Sequence, residues 1–387
     1  MKKTLRFLSY VMVAALASCL TLVMMPQGRP VPVGQSKLDQ LSALIQERFI
    51  GEADVTEMED AAAEAMVAAI GDRWSHYIPA DEYQAYKDRM NNSYVGIGVT
   101  VVSSEDGTAY EIRAVTPGGP AEEAGIQAGD RITAVAGETV AEIGTDEATN
   151  RIRGEAGTFV ELTLERGGET LKLQVERRTI KTVVASGKML PGKVGLVTIK
   201  NFDERCARET IAAVDALIAE GAEALIFDVR NNPGGYKREL VEVLDYLLPE
   251  GPLFRSLDYL GQEQVDSSDA DHIDLPMAVL VNSESYSAAE FFAAAIKEYE
   301  KGFIAGSQTC GKGYFQLTMQ LNDGSAVGLS VGKYFTPNGI SLAEVGGLTP
   351  DIVVEVDDAT FAAIYAGTLD SMEDPQLVAA LDRILGK

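Results

Sequence analysis

Short apolar runs and longer stretches of helical spacing alternate along this chain from Val194 onward, which predicts buried strands with helices packed over them. Met277–Val281 reads as one such strand. Ala288–Lys301 favours helix: it is rich in alanine, sets Phe291, Phe292, Ala295 and Ile296 on one side, and meets Gly302 as a stop. Tyr94–Arg178 has a different texture, with alternating strand segments such as Glu111–Val115 separated by glycine-rich turns. Leu38–Phe49 and Met58–Ile70 have helical spacing, and Asp374–Leu385 is an amphipathic helix that packs on the core or on a second subunit, which leaves a homodimer open.

Chemistry enters where these elements meet. Ser287 stands at the N-terminus of the Ala-rich helix, where unpaired N–H groups and the helix dipole favour a developing negative charge. A serine nucleophile needs a base, yet the chain has two histidines, His76 and His272, so a Ser-His-Asp triad has few candidates. Lysine can take that role where burial disfavours its charged form. Lys312 lies between Gly311 and Gly313 and between the apolar stretches GFIAG and YFQL; Gln316, four residues on, shares its face at strand spacing. Ala224–Gly235 (ALIFDVRNNPGG) is an apolar strand ending in a turn that brings bare N–H groups close to a substrate carbonyl. Singly, these are a helix-cap serine, a surface lysine and a plain turn. Jointly they suggest acyl transfer.

The joint pattern resembles the C-terminal processing peptidases, or tail-specific proteases, with an embedded PDZ domain. Their S-x-S-x-x-E motif matches Ser285–Glu290 and their GKGxxQ motif matches Gly311–Gln316; Ser287 and Lys312 are 25 positions apart (312 minus 287). The similarity runs from about Gly71, where GDRWSHYIPADEY matches a family stretch with Trp74 in place of Tyr, to Leu385. His76 in that stretch reads as structural, and Tyr334 and Thr336 as packing and turn residues. The resemblance implies Ser287 as nucleophile, Lys312 as base, Gln316 as its orienting partner, and an oxyanion hole from the amide of Ala288 with that of Gly234 or Gly235, Gly234 being favoured. It implies an α/β, ClpP/crotonase-like core holding an inserted PDZ domain. Gly96, Ile97, Gly98 and Val99 would be its carboxylate-binding loop, with Ile152, on a helix over 146–153, in its pocket. The expected boundaries are 1–30 for anchor and linker, 31–92 helical, 93–178 PDZ, 179–370 protease core and 371–387 the last helix. The expected activity is serine endopeptidase cleavage near protein C-termini, the partners being protein or peptide substrates held by those termini. A non-catalytic PDZ adaptor and a crotonase-type acyl-CoA enzyme are the competing classes; the intact serine, lysine and glutamine argue against the first, and the PDZ signature against the second.

Composition narrows the rest. A net charge of −25 argues against nucleic acid and anionic membrane surfaces as partners. Three cysteines, Cys19, Cys206 and Cys310, make no disulfide framework, and no motif calls for a metal or other cofactor. Gly306–Lys312 fits the start of a nucleotide P-loop, but Gly313 stands where Ser or Thr is needed and a strand pattern follows. Cys310 has no histidine nearby to activate it. Lys2, Lys3 and Arg6 precede an uncharged stretch, Phe7–Met25, that is long enough to span a bilayer. This predicts a single-pass cell-membrane anchor with an extracytoplasmic body; the alternative is a lipid anchor at Cys19 in the box Leu16–Cys19.

Overall fold

The computed structural model describes residues 36–104 and 106–387, so the expected anchor at Phe7–Met25 and the lipid-anchor alternative at Cys19 lie outside the described residues. Among the described residues, no helix is long and apolar enough to cross a membrane. The chain forms two compact units divided after Tyr77. The first holds helices Lys37–Arg48 and Val55–Ala68. Ser36 and Asp39 cap the first reciprocally, Asp54 accepts from Thr56 and Glu57 at the second, and neither helix contains a buried residue.

The second unit is built on a six-stranded sheet. Its order is Ala185–Leu190, Val194–Ile199, Ala224–Asp228, Met277–Val281, Gly302–Gly306, Ile352–Val353. The first pair is antiparallel and the other neighbours are parallel. Near-continuous apolar strands such as Met277–Val281, buried at every position, are what a sheet covered on both faces requires. On one face lies helix Ala288–Glu298, whose first nine residues are all buried, with Phe292 against Phe202 and Phe227. This helix ends three residues before the expected Lys301, because Glu300 turns left-handed (φ 56°) and the chain enters the next strand at Gly302. On the other face, Leu377, Ala380 and Leu381 of helix Pro375–Ile384 pack against Leu196, Ile226, Ala278, Leu280 and Ala305. Arg230, itself buried, fixes that helix by pairing with both Asp228 and the helix-capping Asp374, each at 2.7 Å.

A second, antiparallel layer contains Gly251–Asp258, Glu263–Ser268, Tyr314–Gln320 and Ala326–Phe335. The inserted region is a sheet of Val99–Ser103, Tyr110–Val115, Arg131–Val135, Phe159–Arg166 and Glu169–Glu176 around its own apolar core. The chain enters and leaves it through a two-stranded ribbon, Ser93–Gly96 paired with Arg178–Lys181. Its helix Val140–Ile152 is broken at Gly144 (φ 80°, ψ 162°), so the expected helix near 146–153 is its second half.

Candidate active site

Three turns leave the carboxyl ends of three adjacent parallel strands, the end at which open α/β sheets build their sites. Asn231–Gly235 follows Ala224–Asp228, Ser287 follows Met277–Val281, and Lys312 follows Gly302–Gly306. Ser287 caps the buried helix with φ 58° and ψ −126°, a conformation costing a non-glycine residue on the order of 1–3 kcal/mol. Such strain persists only where the surroundings enforce it.

Glu290, one turn into the helix and fully buried, supplies that enforcement. Its Oε2 accepts from the N–H of Ser287 (3.0 Å) and of Lys312 (2.8 Å), and its Oε1 from the N–H of Gly311 (2.7 Å) and the hydroxyl of Thr309 (2.5 Å). Thr309 Oγ1 in turn accepts from Leu348 N at 2.7 Å. With donors on both oxygens, this is the arrangement of a carboxylate. Burial raises the pKa of Glu290 and the four donors oppose that rise. One side chain thus fastens the turn bearing the serine to the turn bearing the lysine. The sequence reading assigned no role to Glu290 or Thr309, although the signal was present: Glu290 closes the S-x-S-x-x-E motif.

The two serines of that motif are separated by geometry. The Ser285 hydroxyl, fully buried, donates to Val229 O (2.7 Å) and accepts from Asn282 N (3.0 Å). Asn282 then exchanges two bonds with Asn231 (3.0 and 2.8 Å), joining the serine turn to the glycine turn. Ser285 is therefore occupied as a structural link.

The glycine turn fits against the serine with no room for a side chain. At Gly234 (φ 90°) a Cβ would lie 2.7 Å from Ser287 Cβ and 2.9 Å from Ala288 N. At Gly235 (φ 149°) it would lie 2.2 Å from the carbonyl carbon of Phe202. The N–H of Ala288, first in its helix, has no acceptor within that helix. The N–H of Gly234 donates to Asn232 Oδ1 at 2.9 Å, while Asn232, fully buried, donates to Ile199 O. Gly234 thus adjoins both Ser287 and Ala288, but its own N–H is engaged by Asn232.

Lys312 is half-buried, with Nζ 5.8 Å from the centre of the Tyr286 ring. It lies two residues before the strand that begins at Tyr314, opposite which Ala326–Phe335 carries one extra residue, Val331. Lys312 thus stands outside the ladder, and strand alternation alone does not set Gln316 on its face. Gln316 Nε2 donates to Ser330 Oγ (2.9 Å) and Tyr314 O (3.3 Å), which fixes the plane of its amide. An aromatic cluster holds this strand to helix Ala288–Glu298: Tyr334 stacks on Phe315 (4.7 Å between centres) and meets Phe254 (4.6 Å) and Phe291 (5.7 Å) edge-on. Burial pushes the Tyr334 hydroxyl far up, as for a packing residue. His76 and His272 bond to nearby main-chain carbonyls of Trp74 and Ala270.

In the inserted domain, Ile97 and Gly98 lie between the strands Ser93–Gly96 and Val99–Ser103 and belong to neither ladder. Their carbonyls accept from Ala121 N (2.9 Å) and Thr116 N (2.8 Å). Ile97 and Ile152 share the domain core, with Val99 packed against it.

Comparison with known proteins agrees with this architecture. Residues 193–354 match the model of peptidase family S41, and residues 111–166 match a PDZ domain. The carboxy-terminal processing protease CtpA of Bacillus subtilis is 32% identical over 372 residues, covering 92% of this chain and 79% of that protein. The chain belongs to peptidase family S41. A CtpA-like serine protease of Staphylococcus aureus is 29% identical over 83% of this chain, which spans 64% of that longer protein. A solved structure from Bacteroides fragilis assigned to the S41 proteases shares the fold, with a TM-score of 0.55 and 17% identity over 90% of this chain and 97% of that one. The S41 region takes in all three turns of the site, and the PDZ region most of the inserted sheet.

Proposed function

We propose that this serine peptidase is a membrane-tethered, extracytoplasmic endopeptidase that cleaves proteins near their C-termini with a Ser287–Lys312 dyad. The observation that carries the reading is the Glu290 carboxylate, which bonds the main-chain N–H of both residues and so builds nucleophile and base into one rigid piece. In the reaction, Ser287 Oγ attacks the scissile carbonyl while neutral Lys312 Nζ takes its proton. The N–H of Ala288, joined by one from the Gly234–Gly235 turn, stabilises the oxyanion. Collapse breaks the peptide C–N bond, and Lys312 returns the proton to the departing amine. Water, deprotonated by the same lysine, then releases the acyl group. Gln316, whose Nε2 is anchored on Ser330 and Tyr314, presents Oε1 to orient the lysine.

The PDZ loop at Gly96–Val99 reads the substrate's terminal carboxylate through backbone N–H groups, with Ile152 behind the apolar pocket. The name of the Bacillus relative supports C-terminal processing. The basic residues before Phe7–Met25 support the tether.

The test is a pair of variants with mass-spectrometric mapping of new termini on unfolded proteins. Ser287→Ala and Lys312→Arg should each lower kcat by about 10³-fold or more, the second because guanidinium cannot accept a proton. Near-wild-type cleavage by Lys312→Arg would remove the lysine from the mechanism. Deleting residues 1–30 should move the protein from the membrane to the soluble fraction; an unchanged distribution would refute the tether.

A further inference from the structure

Between strand Val194–Ile199 and helix Cys206–Ala219 the chain makes a bend, 200–205, whose hydrogen bonds face two ways. One side holds the glycine turn of the active site. Phe202 N donates to Gly234 O and Tyr236 N donates to Phe202 O, both at 2.7 Å, and Gly235 is pressed flat against the Phe202 carbonyl. The other side holds the two strands that carry the chain into and out of the PDZ domain. Asn201 and Asn92 exchange amide bonds (3.0 and 2.7 Å), and Asn92 Nδ2 also donates to Glu204 O at 2.9 Å. Arg205 Nη2 donates to Asn92 O and Thr182 O, both at 2.8 Å, and Thr182 N donates to Asn92 O at 2.9 Å. Asn92 is buried just before the entering strand, and Thr182 follows the returning one.

The bend is also under strain. Arg205 is left-handed (φ 77°), and among the described residues Asp203 Oδ1 and Arg205 Nε are buried without a hydrogen-bond partner. Desolvated polar atoms and an unfavourable backbone are retained when neighbouring contacts impose them. Here the contacts that impose them are the Asn92–Asn201 pair on one side and the glycine turn on the other.

We propose that Asn92 and Asn201 are positioning residues for the oxyanion hole: through the bend at Phe202 they set where Gly234 and Gly235 stand against Ser287, so the seam at which the PDZ domain is inserted is part of the catalytic scaffold. This rests on the reading that the glycine turn and Ala288 form that hole. It makes kcat depend on the seam even for a peptide too short to reach the PDZ loop, a dependence that docking alone does not produce.

Steady-state kinetics of the full chain on a short internally quenched peptide test this. Asn92→Ala and Asn201→Ala should each lower kcat about tenfold, the worth of a hydrogen bond felt only in the transition state, with KM within about twofold. Asn201→Asp keeps the acceptor for Asn92 Nδ2 and Asp203 N but sets a carboxylate oxygen where the amide donated to Asn92 Oδ1, so it should lower kcat as far as the alanine variants do. Hydrogen exchange gives a readout independent of catalysis: the amides of Phe202 and Tyr236 should exchange faster in Asn92→Ala while the PDZ strands stay protected. If the alanine variants do not fold, Asn201→Asp with the exchange measurement carries the test. Unchanged kcat with unchanged exchange at 202 and 236 overturns the proposal. Absence of Ser287-dependent cleavage in the wild type would instead sink the dyad, leaving the exchange result to decide the bend.

Discussion

Two glycine-rich loops in this molecule are proposed to hold the same thing, an oxygen bearing negative charge, and they are built to different tolerances. Beside Gly98 in the PDZ loop, a Cβ would meet the Thr116 side chain at 3.3 Å, a contact that a small shift relieves. Beside Gly234 and Gly235 it would meet neighbouring main-chain atoms at 2.9 Å and 2.2 Å, which nothing relieves. A terminal carboxylate is a stable group that waits while a loop adjusts. A tetrahedral oxyanion exists only in passing, so its donors must already be in place. The difference teaches that rigidity here is spent where the charge is short-lived.

The largest test of that contrast is Gly234→Ala. Its Cβ would strike Ser287 and the Ala288 N–H at once, and kcat should fall by about 10²–10³-fold, the worth of an oxyanion donor, with KM little changed. Steady-state kinetics that show only a KM effect would break the contrast.

Next in size is Asp203, in the bend against which the glycine turn rests. Burial lifts its carboxyl to about 7, with Glu239 and Glu204 adding to the rise and Arg89 opposing it. A raised acid pKa costs the fold nothing below the unfolded value. The cost grows as pH climbs from about 4 to about 7 and is constant above. Asp203→Asn should therefore stabilise the protein by a few kcal/mol at pH 8, at about 1.4 kcal/mol per pKa unit, and by little near pH 4. Thermal melts across that range check the sign.

Smaller effects belong to the docking loop. Gly98→Ala, at φ 79°, should raise KM for a long substrate severalfold, about 1 kcal/mol of backbone strain, and leave kcat intact. Amidating a substrate's C-terminus should cost a similar amount through one charge-assisted bond, read by competition against the free acid. A kcat loss in Gly98→Ala would show that the two loops are not separable.

The layers and motif spacing were legible in the sequence because buried parallel strands read as unbroken apolar runs and Ser287 stands at a helix start. The strand argument for Gln316 does not reach Lys312, because the ladder begins only at Tyr314 and the lysine stands in the turn before it. Glu290 went unassigned for another reason. A glutamate in the first helical turn has an ordinary explanation as a cap, and only the folded chain brings Thr309, Gly311 and Lys312 to it. The bend at Phe202 was invisible because its partners lie far apart in sequence.

The Glu290 carboxylate also determines how this enzyme fails on warming. Its four donors come from both sides of a connection that includes a helix and a strand, so the bonds are gained or lost as a set. A local opening that freed this carboxylate would loosen the serine and lysine turns together. Cleavage rate should then vanish at the temperature where this buried carboxylate first meets water, below the melting of the sheet, and activity becomes a thermometer for one sub-global opening of the native state.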